Sequence, residues 1–368
     1  MARIILHVGT HKTGTTALQR SLFAQRNLLL KSGICYDPWN RVLRGLKSSH
    51  HGLAQRLATF NLEDQANLAK YRLQLEQALE QDLDVIISAE SFYRHEDTAI
   101  LDDPDAARVS FLDRVADFFS GLPVEVSICF RRPDRMAESM FKERAVNSDT
   151  KLDFLSYLER FSDRFDYCAR VSEFEERFGR AKIWCFEDAV AKGLISAFLE
   201  QHGLQAPEIT EAEADRKSIS TRAVMWLQRA KRNVESMSKS ERNIRWYYAA
   251  SSHAHPALAH SRGDVFWPDA ETRDSFLHGV LSNFRHADFW SFPDEIPQQV
   301  KWTDEDHLEV EAHFEKWAQA SSVLLQMRKL SKLAPYDSDD KIPRAIRLSF
   351  LPKRIAARFF GPSSNWRK

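Results

Sequence analysis

The chain contains 368 residues, which is enough for one large α/β domain or for two smaller ones. Apolar residues make up 43% of it and charged residues 28%, a globular composition that excludes disorder over most of the chain. Lys plus Arg and Asp plus Glu both number 52, which excludes a basic field over the whole protein of the kind that binds nucleic acid. The four scattered cysteines predict neither a disulfide framework nor a zinc site.

Buried strands and amphipathic helices alternate along the first 205 residues. Short β-branched runs predict the strands, and apolar residues at helical spacing predict the helices. The expected elements are strand 3–8, helix 15–31, helix 62–80, strand 85–87, helix 106–120, strand 124–130, helix 136–146, strand 181–186 and a helix from 187 onward. Because strands that are joined through helices run parallel, this order predicts an α/β fold with a central parallel sheet flanked by helices.

The part of the chain beyond residue 205 is predicted to be mostly helical, with helices over 218–234, 271–284 and 304–330. We therefore expect a single α/β domain over residues 1–335, in which the core sheet occupies about 3–205 and a helical part occupies 206–335. Aromatic residues in this helical part are interpreted as core packing rather than as a sugar-stacking surface.

Residues 336–368 are expected to form a basic amphipathic tail. The segment Lys341–Lys368 contains no acidic residue, and its cations alternate with apolar side chains. This pattern is typical of a segment that lies on a membrane surface, and a solvated or partner-bound tail is the alternative. Elsewhere no stretch is apolar and long enough to span a bilayer, and residues 1–8 are too short for a signal-peptide core. The expected location is the cytoplasm, with peripheral contact at the inner face of the membrane if the tail binds lipid.

The first predicted strand runs directly into a glycine loop that is followed by a helix. The loop reads Gly9-Thr10-His11-Lys12-Thr13-Gly14-Thr15-Thr16. Such a loop presents backbone N–H groups and the positive end of the helix dipole to an anion. Lys12 is expected to add a point charge, and the threonines at positions 13, 15 and 16 are expected to add hydroxyl donors. The sequence therefore predicts a phosphate-binding loop.

This loop differs from that of a nucleotide triphosphatase. The two glycines keep the spacing of that motif, but Thr15 stands where its lysine belongs. The strand 85–87 does not end in an aspartate suited to magnesium. Both differences count against a kinase that uses ATP and magnesium, which is kept as an alternative.

A second anion site is predicted after the strand 124–130. Arg131 follows this strand at the edge where ligands bind in open α/β sheets. Ser139 comes eight residues later, about two turns into the next predicted helix. An arginine and a hydroxyl that converge from these positions suit a phosphate monoester. The alternative is that the segment only forms surface salt bridges, for example between Arg135 and Glu138.

The two motifs together resemble those of the sulfotransferases that use 3′-phosphoadenosine 5′-phosphosulfate (PAPS). The resemblance implies a fold like that of the P-loop nucleotide triphosphatases, with Lys12–Thr16 at the 5′-phosphosulfate and Arg131 and Ser139 at the 3′-phosphate. The Arg-Arg-Pro-Asp run at 131–134 is closer to bacterial and glycan-modifying members. The implied activity is transfer of a sulfuryl group from PAPS, as co-substrate and without a metal, to a hydroxyl or amine of a carbohydrate or glycolipid.

Glu90 is the expected catalytic base, and Lys12 is expected to stabilise the leaving oxygen. Glu90 comes just after the strand 85–87, and the resemblance supports it because glycan sulfotransferases place a glutamate after this strand. The alternatives for the base are His11 and, less favoured, His7, which is interpreted as a core histidine. The alternative for Glu90 is that it caps the following turn or pairs with Arg94. A third hypothesis, beside a sulfotransferase and a kinase, is a non-catalytic relative that binds a nucleotide.

Three polar residues near Glu90 are expected to line the acceptor site, namely Ser88, Ser91 and Arg94. The runs Ser49-His50-His51 and His253-Ala254-His255 are interpreted as solvent-exposed loops rather than as metal sites, since neither has a cysteine or carboxylate at ligand spacing.

Overall fold

The protein is built around a five-stranded sheet in which every pair of neighbouring strands is parallel. The computed structural model describes residues 2–10, 12–37, 48–205, 219–251, 254–259, 264–290 and 299–319. The strands are β1 (Ile4–His7), β2 (Ile34–Cys35), β3 (Asp84–Ser88), β4 (Val124–Phe130) and β5 (Lys182–Cys185), in the spatial order β2-β3-β1-β4-β5. The predicted α/β fold with a central parallel sheet is therefore confirmed.

Helices connect the strands and account for most of the remaining described residues. Those of the first half are α1 (Thr15–Ala24), α2 (Arg26–Lys31), α3 (His51–Thr59), α4 (Leu62–Glu80), α5 (Ser91–Arg94), α6 (Pro104–Phe119), α7 (Pro133–Asn147), α8 (Phe154–Arg160) and α9 (Tyr167–Phe178). Those of the second half are α10 (Phe186–Lys192), α11 (Leu194–Gln201), α12 (Thr221–Arg232), α13 (Lys239–Ala249), α14 (Ala270–Leu281) and α15 (Asp304–Gln319). Among the residues described, no helix combines the length and apolarity needed to cross a membrane.

The register of the sheet brings three segments with predicted site residues to one edge. His7, the last residue of β1, is paired with Ser88 in β3 and with Ser127 in β4. Because the strands are parallel, their carboxyl ends point the same way. The glycine loop after β1, Glu90 after β3 and Arg131 after β4 therefore leave the sheet at the same edge from three adjacent strands.

Several elements differ from the prediction. The helix expected over 15–31 is two helices, α1 and α2, which meet at Gln25. The strand β2 and the helix α3 were not predicted. β2 has only two residues, too few for a periodic signal, and α3 buries only two large apolar side chains, Leu53 and Leu57, which its polar neighbours obscure. The helix at 62–80 and the strand at 124–130 have the predicted bounds.

The chain divides into two compact units. The first comprises residues 1–140, 155–216 and 268–296, and it contains the sheet. The second comprises 141–154, 217–267 and 297–368, and its described elements include the helices α12, α13 and α15. The single domain predicted over 1–335 stays a prediction, and the tail at 336–368 lies outside the described residues.

Aromatic side chains form the core of the second unit. Trp226, Tyr248 and Phe314 are buried and lie within ring-contact distance of one another. The guanidinium of Arg245 lies 4.4 Å from the ring centroid of Phe314 and forms a bidentate pair with Glu311. Burial of this cluster supports core packing as the role of these aromatics.

Candidate functional site

The glycine loop turns into α1 through left-handed backbone. Gly14 has a φ of 67° and is the residue that precedes α1. The positive φ favours glycine, and a Cβ at this position would also displace the side chains of Leu194 and Phe186, since it would lie 2.7 Å from Leu194 Cδ2 and 3.1 Å from Phe186 Cε2. Lys12 also has a positive φ of 68°, which costs a non-glycine residue about 1 kcal/mol. Strain of this kind is typical of functional loops.

The threonines of the loop determine its shape. The Thr10 hydroxyl and backbone N–H both donate to the Cys129 carbonyl, at 2.9 and 3.3 Å, which ties the loop to β4. The Thr13 hydroxyl donates to the Thr10 carbonyl at 2.6 Å and lies 3.2 Å from the Thr15 hydroxyl oxygen. Thr13 and Thr15 are buried, whereas Thr16 is exposed. The first two hydroxyls therefore brace the loop from inside, and Thr16 is the one that faces outward.

Arg131 contacts the glycine loop directly. Its Nη1 donates to the Lys12 carbonyl at 3.1 Å, and its guanidinium carbon lies 5.4 Å from the centroid of the Phe186 ring. Its Nε is buried and has no hydrogen-bond partner. Burial lowers the pKa of this guanidinium, and the negative charge of Glu187 opposes that shift. Since an arginine side chain stays protonated in proteins, the Nε–H of Arg131 is a buried donor that can still donate to a partner, such as an anionic oxygen. Such an arrangement fits an anionic ligand.

Glu187, which the sequence did not identify as a functional residue, holds the turn that carries Arg131. Its two carboxylate oxygens accept the backbone N–H of Arg132 at 3.2 Å each, and one of them also accepts the Trp290 indole N–H at 2.9 Å. Glu187 is the first residue after Phe186, whose ring faces Arg131. One signal in the sequence was the position of Glu187 directly after the strand predicted at 181–186.

Two other arginines of this segment form ion pairs within the protein. Arg132 forms a bidentate pair with Asp134, with distances of 2.7 and 3.0 Å. Arg135 pairs with Glu138 at 3.5 Å, so the salt bridge considered as an alternative does form. Ser139 is half-buried on α7. Its predicted role at a phosphate stays a prediction.

Glu90 lies between β3 and the short helix α5. It is half-buried, and its side chain accepts no capping hydrogen bond from α5. Its negative charge acts on His7, where it favours the protonated imidazole. Glu90 is therefore close enough to the end of β1 to interact electrostatically with the strand that leads into the glycine loop.

His7 is a buried histidine beneath the loop, as the sequence suggested. Its Nδ1 lies 2.9 Å from the Ser88 hydroxyl oxygen, and its ring contacts Trp184 and Phe198. Burial lowers the pKa of His7 to about 3, which makes it a weak base near neutral pH. Its Nε2 would lie 2.8 Å from a Cβ at Gly9, so the imidazole supports the loop from below. His11 lies outside the described residues.

The interpretation of Ser49-His50-His51 as an exposed loop is wrong for its first two residues. Ser49 and His50 are each 1% exposed. His50 Nδ1 accepts the Ser88 backbone N–H at 3.0 Å, which no local pattern in the sequence reveals. Ser88 is itself fully buried, so it does not line an open acceptor site.

Other residues expected near the acceptor site lie in different environments. Ser91 is buried and hydrogen-bonded to His51 Nδ1, whereas Arg94 is exposed. His255 lies in the second unit, with its Nε2 3.3 Å from a Glu309 carboxylate oxygen. His253 lies outside the described residues.

Stability is expected to fall as the pH drops below neutral. Burial lowers the pKa of His7 to about 3 and that of His50 to about 4, from an ordinary value of 6.5. Since the unfolded chain then binds protons that the folded chain does not, folding weakens once the pH falls below 6.5. Between pH 6.5 and pH 5 the two histidines together should lower the free energy of unfolding by about 3 kcal/mol. Urea denaturation at both pH values measures this loss.

The variant His7→Asn should reduce the loss by about 1.5 kcal/mol, the share of one such histidine. Burial raises the pKa values of the ion-paired carboxyls of Glu125 and Glu175, but the hydrogen bonds and positive charges of their basic partners outweigh it. Their pKa values are therefore lowered, and they remain ionised over this interval. A change below about 1 kcal/mol in the wild-type protein would contradict the neutral, buried state of the two histidines.

Comparisons with known proteins found one similar solved structure and no matching family model. No protein-family model matches the chain, and no curated protein matches it. Among solved structures, a sulfotransferase from Alicyclobacillus acidocaldarius is similar, with a TM-score of 0.33 and 13% identity over 59% of this chain and 87% of the other. Values this low carry no argument about function. The functional conclusion therefore rests on the residues of this chain.

Proposed function

We propose that the protein is a sulfotransferase that moves a sulfuryl group from PAPS to a hydroxyl or amine. The observation that carries the proposal is the contact between Arg131 and the Lys12 carbonyl, which joins two anion-binding elements from adjacent strands. One phosphate would use only the glycine loop. A nucleotide with anionic groups at both its 5′ and 3′ positions would engage the loop and the unpaired Nε of Arg131 together.

The glycine loop and the segment that follows β4 divide the binding between them. The backbone N–H groups from Lys12 to Thr16 and the Thr16 hydroxyl would hold the 5′-phosphosulfate, and Arg131 with Ser139 would hold the 3′-phosphate. The Phe186 ring lies 5.4 Å from the guanidinium carbon of Arg131 and supports that side chain beside the loop. A carbohydrate or glycolipid acceptor is proposed because the 131–134 run resembles that of glycan-modifying sulfotransferases.

The transfer step assigns one role to each of two charged residues. The acceptor oxygen or nitrogen forms a bond to sulfur while the bond from sulfur to the bridging phosphate oxygen breaks. Glu90 takes the proton that the acceptor loses. Lys12 stabilises the negative charge that develops on the departing bridging oxygen, and the product is 3′,5′-adenosine bisphosphate. The chemistry requires no redox change, and this set of residues needs no metal to balance it.

A thermal-unfolding experiment tests the nucleotide that the site selects. We expect 3′,5′-adenosine bisphosphate at about a hundred times its Kd to stabilise the fold by about 2.7 kcal/mol, which raises the Tm by about 3 to 4 °C. ADP at the same concentration should raise the Tm by less than the bisphosphate does, because ADP lacks the 3′-phosphate. The variant Arg131→Ala should lose the difference between the two ligands, because that difference arises from the 3′-phosphate.

The same experiment separates the proposal from its alternatives. Arg135→Ala is the matched control, since this neighbouring arginine is already paired with the buried carboxylate of Glu138 on α7. Stabilisation by ATP only when magnesium is present would overturn the proposal in favour of a kinase. Binding of the bisphosphate without any release of it from PAPS, with or without an acceptor, would favour a non-catalytic nucleotide-binding relative.

A further inference from the structure

The strand β3, which leads to Glu90, extends beyond its outer neighbour β2. β2 pairs with β3 only through Ile34 with Asp84 and through Cys35 with Val85. β3 continues for three more residues, to Ser88. On its inner side the chain stays paired with β1, because the Ala89 N–H donates to the His7 carbonyl. Neighbouring residues of a strand face opposite sides, so the N–H and C=O of Ser88 face the side that β2 has left.

His50 occupies the position that the missing strand would fill. Its backbone N–H donates to the Ser88 carbonyl at 2.9 Å, and its Nδ1 accepts the Ser88 N–H at 3.0 Å. A strand would satisfy Ser88 with one N–H and one carbonyl. Here the backbone of His50 supplies the N–H, and its imidazole nitrogen replaces the carbonyl.

The second ring nitrogen of His50 reaches back to the segment that leaves β2. Because Nδ1 accepts a hydrogen bond, Nε2 carries the proton of the neutral ring. Nε2 lies 3.4 Å from the Asp37 carbonyl, two residues beyond Cys35. The imidazole therefore bridges the two diverging segments. Its neutral state is fixed by this use of both nitrogens and by burial, which lowers the pKa of His50 to about 4.

The next residue completes the hold on the Glu90 turn. His51 begins α3, and its Nδ1 is hydrogen-bonded to the Ser91 hydroxyl. Two consecutive histidines thus fix the residues on either side of Glu90, at Ser88 and at Ser91. Glu90 itself lies between these two fixed points and directly precedes α5, a helix of only four residues.

We infer that His50 is a positioning residue for the proposed base, holding the Glu90 turn in place through the Ser88 backbone. This inference rests on the proposed function for the role of Glu90, but the hold on the turn is independent of it. A base must lie within hydrogen-bond reach of the proton that it removes, and an error of about 1 Å can lower a rate by about a hundredfold. The effect of His50 should therefore appear in turnover and not in nucleotide binding.

Two isosteric variants test each nitrogen separately. His50→Asn places an amide oxygen where Nδ1 accepts the Ser88 N–H, and His50→Gln places an amide NH₂ where Nε2 donates to Asp37. We expect His50→Gln to accelerate amide hydrogen exchange over residues 86–91 by at least about tenfold, with exchange in α1 unchanged. His50→Asn should stay within about threefold of the wild type. His307→Asn, in the second unit, is the control for loss of a buried histidine.

Turnover is followed as release of 3′,5′-adenosine bisphosphate from labelled PAPS, with water as the acceptor. His50→Gln should lower this kcat by at least about tenfold, while the melting shift given by the bisphosphate remains that of the wild type. His50→Asn should retain most of the turnover. Equal exchange and equal kcat in the Asn and Gln variants would overturn the inference, as would a parallel loss of bisphosphate binding.

Different results would overturn the proposed function and the role of His50. If the wild-type protein neither binds the bisphosphate nor consumes PAPS, the proposed function fails, while the exchange data still report whether His50 holds the turn. If the wild type is active and exchange at 86–91 does not respond to His50→Gln, the inference fails alone.

Discussion

Replacing Lys12 by alanine is expected to lower kcat for sulfuryl transfer by about a hundredfold to a thousandfold. In the proposed transfer, the ammonium group of Lys12 stabilises the bridging oxygen as the bond to sulfur breaks. Binding of 3′,5′-adenosine bisphosphate should weaken less than kcat falls, because backbone N–H groups and Arg131 still hold the nucleotide. Single-turnover rates with labelled PAPS, at saturating nucleotide, measure the loss.

A second substitution at the same position separates charge from loop shape. Lys12 has a positive φ, which alanine adopts with the same strain and glycine adopts freely. Lys12→Gly should therefore stabilise the fold by up to about 1 kcal/mol relative to Lys12→Ala, and it should be equally inactive. Lys31→Ala, at the exposed end of α2, is the control for removal of a lysine. Substantial activity in Lys12→Gly would show that loop conformation, rather than charge, limits the Ala variant.

Substitution of Glu90 by glutamine is expected to lower kcat by about a hundredfold to ten-thousandfold. The amide keeps the size of the side chain but accepts no proton from the acceptor. The Tm shift given by the bisphosphate should match that of the wild type, because Glu90 takes no part in holding phosphate. The measurement combines steady-state turnover with the thermal-unfolding assay on the same preparations.

The control for Glu90 is Glu96→Gln, which removes an exposed carboxylate six residues along the chain. It should leave turnover unchanged. The rate of Glu90→Gln should also lose its dependence on deprotonation at acid pH, which a merely structural role would not cause. Turnover like that of the wild type in Glu90→Gln would assign the proton to another group, and His11 is then the first candidate.

The parts of the site that the sequence predicted are those encoded by adjacent residues. A buried strand, a glycine loop and a helix follow one another between Ile4 and Ala24, so their order alone predicts an anion site. Arg131 was identified in the same way, because it follows directly after an apolar strand. The position of these residues at one edge of a parallel sheet then follows from the alternation of strands and helices.

The supporting residues were not predicted because their roles depend on distant partners. His50 looks like part of a polar loop until the early end of β2 exposes the backbone of Ser88, 38 positions away. Glu187 acts on a turn 55 positions earlier in the chain. Neither contact follows a helical or strand period. A single sequence carries no signal for hydrogen bonds that depend on where two remote strands separate.

The central place of β1 has a consequence for the order in which the protein is made. Its hydrogen-bonded neighbours are residues 85–88 and 124–127, which the ribosome adds long after the glycine loop has been synthesised. A nascent chain that ends before residue 124 leaves this strand with one open flank, and the tie from Thr10 to the Cys129 carbonyl is still missing. Closing such long loops is slow. The glycine loop is thus the earliest segment of the candidate site to be synthesised, yet it depends for completion on a contact that arrives more than a hundred residues later.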